Sequence, residues 1–372
     1  GTIDGLAFSA IENLSLSNGD DTVTVTGSGS GVSLTGSLDL GDGTNSLTMN
    51  SSAGSIASVT SGTGDDTFSI SAGSVTGAVS AGDGTNTLTI SGASSSIGSY
   101  AGGSGIDSAT LSGGDVMGNV STGSGDDTVL ISSTSSTIGG NLDLGAGTGD
   151  TLSYAGYGNA VSVTLSDITS NTGSTAAGGA TAISGTTTGF ENLVGGSTTG
   201  DTITDSTGNS TVAITGANSG TIDGMAFSAI ENLSLSTGVD GVTVQSGGSL
   251  SGNLDLGDGT SNTLVMNSGA GSVGSVTSSS GDDTFTINGG TVTGAVSAGD
   301  GTNTLTISGT SSSIGSYTGG SGIDSATLSG GDVGGALSSG DGNDTVLINS
   351  TSSTIGGNLD LGAGTGDTLS YA

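Results

Sequence analysis

The chain has 372 residues, a formal net charge of −33, and no Lys, Arg, His, Pro, Cys or Trp. Without Lys or Arg no side chain can neutralise a phosphate group, which excludes nucleic acid and anionic membrane surfaces as partners. The absence of Cys excludes disulfides and thiolate metal sites. Five Phe and five Tyr beside 77 Gly favour a thin core of small aliphatic side chains that repeats along one axis.

A long internal repeat divides the chain. Residues 1–17 return at 220–236 with one substitution, and residues 134–155 return unchanged at 351–372. Because near-identical stretches fold alike, we expect three parts. They are a first solenoid block at 1–155, a junction at 156–219, and a second copy of the block at 220–372.

A shorter period within each block combines turn signals with strand-like runs. Between Gly-Asp turns, apolar and hydroxyl residues alternate, as in TVTVT at 22–26, TLTIS at 87–91 and TVLIS at 128–132. Such β-branched alternation is typical of strands, and Gly is too frequent for helices to persist. The sequence therefore predicts an all-β fold, a parallel β-solenoid with about 18–24 residues per coil. The alternative is a disordered Gly/Ser linker, which such strict alternation argues against.

The stretch from about 156 to 210 has sparser turn signals. We interpret residues 170–189 as an insertion or loop that leads into GFENLVGG at 189–196. Phe190 lies in this segment, and Phe8 and Phe227 lie in related FSAIENL segments. We expect these rare aromatic side chains to fill wider coils at junctions between solenoid blocks.

The turn signals share a pattern that suits a hard cation. Residues 62–68, 123–129 and 340–346 read G-x-G-x-D-x-(apolar), and residues 102–107 and 319–324 read G-G-x-G-x-D. Gly at positive φ lets the turn curl with its carbonyls towards one spot, while Asp supplies an anionic oxygen. Two such turns one coil apart can surround Ca²⁺ with six oxygens, and the lack of His and Cys disfavours a transition metal. The candidate ligands are Asp21, Asp66, Asp107, Asp127, Asp150, Asp283, Asp324, Asp344 and Asp367.

The same turns have a second interpretation, in which the Asp side chain caps a tight turn without metal. Asn replaces Asp in the turns at 41–45, 82–86 and 299–303, and the turn at 145–150 has one additional residue. Calcium would then line one edge, with weak or empty sites at the Asn coils. Alternatively, these Asn side chains form an amide ladder that needs no metal.

These turns resemble the RTX (hemolysin-type) calcium-binding repeats, and in particular those of giant repetitive bacterial adhesins. The resemblance extends to DTLSY at 150–154, VSVTL at 161–165, FENL at 190–193 and DTIT at 201–204. It implies a parallel β-roll or solenoid that orders in extracellular calcium. It also implies secretion to the bacterial cell surface by a type I machinery. The chain departs from the RTX pattern, because one motif rather than two occurs per coil and the spacing varies.

Repetition favours a structural or adhesive surface protein over an enzyme. A polysaccharide-cleaving enzyme on a β-helix is the second class considered, since paired carboxylates can do such work. Most nucleophiles and bases are absent and the acids sit in repeated turns, so we expect no enzymatic activity. A metal-free passenger of an autotransporter or two-partner secreted filament is the third class, distinguished by calcium-independent melting. Open end coils expose strand edges, which suggests a homo-oligomer or filament through end-to-end or lateral packing.

Overall fold

Residues 2–3, 6–7, 10–26, 32–50 and 53–372 are described by the computed structural model. All regular elements among them are β-strands. The described residues include no helix long and apolar enough to cross a membrane.

The first twenty strands are β1 Thr2–Ile3, β2 Leu6–Ala7, β3 Leu14–Ser15, β4 Thr22–Thr26, β5 Val32–Asp39, β6 Ser46–Asn50, β7 Ala53–Thr60, β8 Thr67–Ile70, β9 Ser74–Ser80, β10 Thr87–Ile90, β11 Ser96–Ser104, β12 Ser108–Leu111, β13 Asp115–Val116, β14 Val120–Ser124, β15 Thr128–Ile131, β16 Leu142–Asp143, β17 Thr151–Ser153, β18 Ser162–Thr169, β19 Thr172–Ala180 and β20 Thr187–Phe190. The others are β21 Asn192–Val194, β22 Thr202–Asp205, β23 Thr211–Gly216, β24 Ser219–Ile222, β25 Met225–Ser228, β26 Asn232–Leu235, β27 Gly241–Val244, β28 Leu250–Asp255, β29 Thr263–Met266, β30 Ser272–Thr277, β31 Thr284–Ile287, β32 Thr291–Gly299, β33 Thr304–Ser308, β34 Ser313–Gly319, β35 Ser325–Ser329, β36 Asp332–Val333, β37 Leu337–Ser338, β38 Thr345–Ile348, β39 Leu359–Asp360 and β40 Thr368–Tyr371.

The strands belong to two compact units, of which unit 1 comprises Gly1–Val161 and Thr172–Thr198. One parallel sheet of unit 1 contains β4, β6, β8, β10, β12, β15, β17 and β21. The other contains β3, β5, β7, β9, β11, β14, β16 and β20. Hydrogen bonds between successive coils of the repeated turns join residues 20 to 24 positions apart, so each coil gives one strand to each sheet.

Unit 2 comprises Ser162–Asn171 and Thr199–Ala372 and repeats the same arrangement. One of its parallel sheets contains β23, β27, β29, β31, β33, β35, β38 and β40. The other contains β18, β22, β26, β28, β30, β32, β34, β37 and β39. An antiparallel excursion, β24, pairs with β23 and with β25 near the start of the unit.

The core consists of in-register columns of apolar side chains, one from each coil. Leu47, Phe68 and Leu88 are aligned on adjacent parallel strands, and each is fully buried. Unit 2 has the equivalent column Leu264, Phe285 and Leu305. Burying one such side chain contributes about 1.5–3 kcal/mol. A single coil cannot bury its own apolar side chains, so the strands are stable only when coils stack on one another.

The predicted fold class is confirmed: the chain is an all-β, parallel β-solenoid. The predicted strands coincide with β4, β10 and β15, and Phe190 and Phe227 are buried as expected. Phe8 lies outside the described residues. The division at 155 and 219 stays a prediction. The interpretation of 170–189 as an insertion or loop was wrong in part, because β19 forms there and pairs antiparallel with β20.

Candidate cation-binding turns

The turns that lead into the sheet of β4 to β21 in unit 1, and into the sheet of β23 to β40 in unit 2, depend on glycine. Gly64 and Gly125 have φ of 130° and 139°, values that side chains with a Cβ rarely adopt. A Cβ at Gly125 would also collide with the carbonyl group of Gly105 one coil away. Glycine therefore allows the turns of neighbouring coils to stack at the strand spacing of about 4.8 Å.

The last residue of each turn points inward and links two coils. The backbone N–H of Asp107 donates to Oδ1 of Asp127 at 2.7 Å, and that of Asp127 donates to Oδ1 of Asp150 at 2.7 Å. We call this series of side chains the inner ladder. Its members are Asp21, Asn45, Asp66, Asn86, Asp107, Asp127 and Asp150 in unit 1, and Asp240, Asn262, Asp283, Asn303, Asp324, Asp344 and Asp367 in unit 2.

The Asn members of the inner ladder show which groups face the side-chain nitrogen, Nδ2. Nδ2 of Asn86 donates to the carbonyl oxygens of Gly82 and Gly84, at 3.0 and 3.3 Å. Nδ2 of Asn45 makes the same pair of contacts within its own turn, and so does that of Asn303. The inner side of these turns thus presents carbonyl oxygens that require a positively polarised partner.

The Asp members place a carboxylate oxygen where Asn places an amide nitrogen. Their Oδ1 atoms accept the same inter-coil hydrogen bond as those of Asn, so Oδ2 takes the position of Nδ2. Seven of these Oδ2 atoms are buried and have no hydrogen-bond partner: those of Asp21, Asp66, Asp127, Asp150, Asp240, Asp324 and Asp344. An unsatisfied buried polar atom costs about 1–3 kcal/mol, and more if charged. A cation or a proton between Oδ2 and the carbonyl oxygens removes this cost.

Burial alters the acidity of these carboxyls. It raises the pKa of Asp107, Asp150 and Asp324 to about 6, and it also raises the pKa of Asp66, Asp240 and Asp283. Hydrogen bonds from the backbone oppose the effect, whereas the charge of Asp127 on the next coil adds to the rise at Asp107. The ionised forms therefore need a compensating positive charge, and no side chain of this protein supplies one.

The first glycine of the G-G-x-G-x-D turns is packed against oxygens of two coils. Gly102 has no left-handed φ, yet a Cβ there would collide with the Asp107 carboxylate and with the carbonyl oxygen of Thr122. A Cβ at the equivalent Gly319 would meet Asp324 and the carbonyl oxygen of Ser339. The first glycine of the motif thus lets a carboxylate oxygen and a carbonyl oxygen of the next coil pack closely against the backbone, and both are donors of the type that Ca²⁺ prefers.

The structure brings some predicted ligands together and separates others. Consecutive coils carry Asp107, Asp127 and Asp150 in unit 1, and Asp324, Asp344 and Asp367 in unit 2. Asn45 separates Asp21 from Asp66, Asn86 separates Asp66 from Asp107, and Asn303 separates Asp283 from Asp324. Among the described residues, no three carboxylates converge on one point. The metal-ligand assignment therefore stays a prediction, and any cation would need two carboxylates together with backbone carbonyls.

One glutamate continues the inner ladder of unit 1, and a second makes a similar contact before the other sheet of unit 2; both were missed from the sequence. Oε2 of Glu191 accepts from the backbone N–H of Asp150 at 2.9 Å, and Oε2 of Glu231 accepts from that of Asp201 at 3.0 Å. These contacts join residues 41 and 30 positions apart, where the coils are longer. The shared sequence Glu-Asn-Leu at both sites was a usable signal. Asp240 was also missed, since its turn has Gly-Val where the turns of Asp21 and Asp283 have Gly-Asp.

A second row of acids lies on the outside of the turns. Oδ1 of Asp42 accepts from the backbone N–H of Thr63 at 2.9 Å, and Oδ1 of Asp65 accepts from that of Thr85 at 2.8 Å. Asp126 makes the same contact with Thr148. These side chains are water-accessible and satisfied by backbone donors, so they act as turn caps, the second role that the sequence allowed for Asp.

No protein-family model matches the sequence, and no curated protein matches it. Among solved structures, the chain is similar to a hyperactive, Ca²⁺-dependent, β-helical antifreeze protein from an Antarctic bacterium, known from an X-ray crystal structure. The two chains are 18% identical, the match covers 100% of this chain and 87% of that chain, and the TM-score is 0.29. The calcium dependence is a property of that protein, and the relation of this chain to the RTX family stays a resemblance.

Proposed function

We propose that this chain is an extracellular structural or adhesive element of a bacterial surface protein whose β-solenoid is stabilised by calcium bound in its turns. The observation that carries the proposal is the set of buried carboxylate oxygens without a partner, in a chain without a cationic side chain. Such oxygens beside carbonyl groups form an anionic, oxygen-only environment on the inside of the turns that end in Asp.

Calcium suits this environment better than other common cations. Ca²⁺ accepts six to eight oxygens in flexible geometry, including backbone carbonyls, whereas Mg²⁺ demands near-ideal octahedral geometry and keeps several waters. The inner side of the turns is closed to water, since Asp127, Asp150 and Asp344 are fully buried. Transition metals favour imidazole or thiolate ligands, which this chain lacks.

A structural or adhesive role agrees with the distribution of acidic residues. They recur in equivalent turns of both units instead of forming one singular cluster. The chain also lacks His, Lys and Cys, three residue types that often act as nucleophiles or bases, and we propose no enzymatic activity. The RTX-like motifs and the proposed calcium requirement support an extracellular location, where calcium sites of modest affinity are common.

Thermal unfolding followed by circular dichroism tests the proposal. We expect the melting temperature in 1 mM CaCl₂ to exceed that in EGTA at matched ionic strength, because calcium bound only to the folded state stabilises it. Each site contributes about 2.7 kcal/mol when free Ca²⁺ is 100-fold above its Kd. NaCl at equal ionic strength controls for screening of the net charge of −33.

The second candidate is a metal-free solenoid of an autotransporter or two-partner secreted filament. The observation that favours it is that Asn45, Asn86 and Asn303 satisfy their turns with amide groups alone. An identical melting curve in CaCl₂ and EGTA would establish this alternative and refute calcium stabilisation.

A further inference from the structure

The inner ladder has the same order of Asp and Asn in both units. It reads Asp, Asn, Asp, Asn, Asp, Asp, Asp, from Asp21 to Asp150 in unit 1 and from Asp240 to Asp367 in unit 2. We call the first four positions the alternating segment and the last three the consecutive segment. Neutral amides separate the carboxylates in the first segment but not in the second, and this difference affects where a cation can bind.

In the alternating segment, neutral groups separate the carboxylates. In unit 2, Nδ2 of Asn262 donates to Oγ of Ser278 at 3.3 Å, and that hydroxyl donates to Oδ2 of Asp283 at 2.5 Å. In unit 1, Nδ2 of Asn45 donates to the equivalent Ser61 at 3.1 Å. Each interval between coils therefore contains one carboxylate and one amide, and the amides of Asn45, Asn86 and Asn303 donate to carbonyl oxygens of their own turns. An amide at this position repels a cation and uses the oxygens that would bind it.

In the consecutive segment, each interval between coils has a carboxylate on both sides. The pairs Asp107–Asp127 and Asp127–Asp150 occur in unit 1, and Asp324–Asp344 and Asp344–Asp367 in unit 2. At a strand spacing of about 4.8 Å, two carboxylates can share one divalent ion, which balances their combined charge. At the first of these pairs in each unit, the carbonyl oxygen of Thr122 or Ser339 and the carboxylate of Asp107 or Asp324 pack against the same glycine, Gly102 or Gly319.

We propose that calcium binds only in the consecutive segments and that the alternating segments are metal-independent, so that calcium controls the order of one part of each unit. The inference rests on the proposed calcium stabilisation and specifies its location. We expect about two ions per unit, one for each interval between stacked carboxylates. Withdrawal of calcium then loosens the coils of β12, β15 and β17 in unit 1 and of β35, β38 and β40 in unit 2.

Hydrogen exchange with peptic digestion and mass spectrometry tests the location on the full chain. Between 1 mM CaCl₂ and EGTA at equal ionic strength, we expect exchange in β12, β15, β35 and β38 to accelerate about tenfold or more. Exchange in β6, β8, β29 and β31 should change less than about twofold. Equal acceleration of hydrogen exchange in the alternating and consecutive segments would overturn the proposed location of calcium, but it would still support stabilisation of the solenoid by calcium. The absence of any calcium effect would refute the proposed function itself.

A matched pair of variants makes the test specific. In Asp127→Asn, the new amide can donate to the carbonyls of Gly123 and Gly125, as Asn86 does in its own turn. We expect β12, β15 and β17 to stay protected in EGTA, and the calcium stoichiometry from isothermal titration calorimetry to fall by about two. Asp126→Asn makes the same charge change at the neighbouring exposed turn cap and should leave calcium dependence intact. Equal effects of the two variants would overturn the inference.

Discussion

Replacing Asn86 by Asp converts a metal-independent turn into one with an unsatisfied buried carboxylate. The substitution removes the donors that contact the carbonyl oxygens of Gly82 and Gly84 at 3.0 and 3.3 Å. Each lost hydrogen bond costs about 0.5–1.5 kcal/mol, and the unpaired carboxylate oxygen costs about 1–3 kcal/mol more. Without calcium at neutral pH, we therefore expect a loss of about 2–6 kcal/mol, or roughly 4–24 °C in melting temperature for a unit of this size.

Calcium should reverse much of this loss, because Asp66, the new Asp at 86 and Asp107 then form a stack of carboxylates that can share divalent ions. The assay is urea unfolding in EGTA and in 1 mM CaCl₂, read by circular dichroism. Thr85→Asp is the matched control, since it adds the same charge at an exposed position that Asp65 occupies in the preceding turn. Equal destabilisation by the two variants, or a loss that calcium does not reduce, would refute the reasoning.

Three other predictions concern the core, the junction and pH. Phe285→Ala empties a fully buried position and should lower the free energy of unfolding in urea by about 3–5 kcal/mol; a loss below about 1 kcal/mol would contradict the stacked core. Glu231→Gln keeps the shape but weakens the contacts of Oε2 with the backbone N–H groups of Gly200 and Asp201. We therefore expect a loss of about 1–3 kcal/mol in the same assay, and no change would contradict a stabilising role of these contacts. Because burial raises the pKa of Asp107, Asp150 and Asp324 to about 6, the folded state binds protons more tightly than the unfolded state. In EGTA this contribution to stability is complete below about pH 4 and is lost as pH rises through 6, so melting scans should give a higher melting temperature at pH 5 than at pH 7.5; the reverse order would contradict it.

The sequence was informative wherever a local pattern determines structure. Alternation in 22–26 and 128–132 predicted β4 and β15 because a strand exposes every second residue whatever its neighbours are. The turn pattern likewise located Asp107 and Asp127, since glycine at fixed offsets determines where the chain can curl.

The remaining features depend on which coil stacks on which. From the sequence, Asn86 belongs either to a weak or empty calcium site or to a turn that needs no metal. The folded chain favours the second role, because the amide of Asn86 faces the carbonyls of its own turn. Glu191 joins the inner ladder across 41 residues, a separation that no local pattern predicts. Strand β19 was missed because its run TGSTAAGGA is rich in Gly and Ala, residues depleted in strands, and it forms by pairing with β20.

The inner ladder also makes the coil a unit that recombination can duplicate or delete. Each rung joins one side chain to the backbone N–H one coil earlier, and it forms equally well across 20, 21, 22, 23 or 24 residues. The additional residues of a longer coil lie between the two residues that the hydrogen bond joins. A gain or loss of one whole coil therefore brings an equivalent pair of residues into contact. A whole coil is therefore the natural unit of length change, and we expect solenoids of graded length to form by its duplication or deletion.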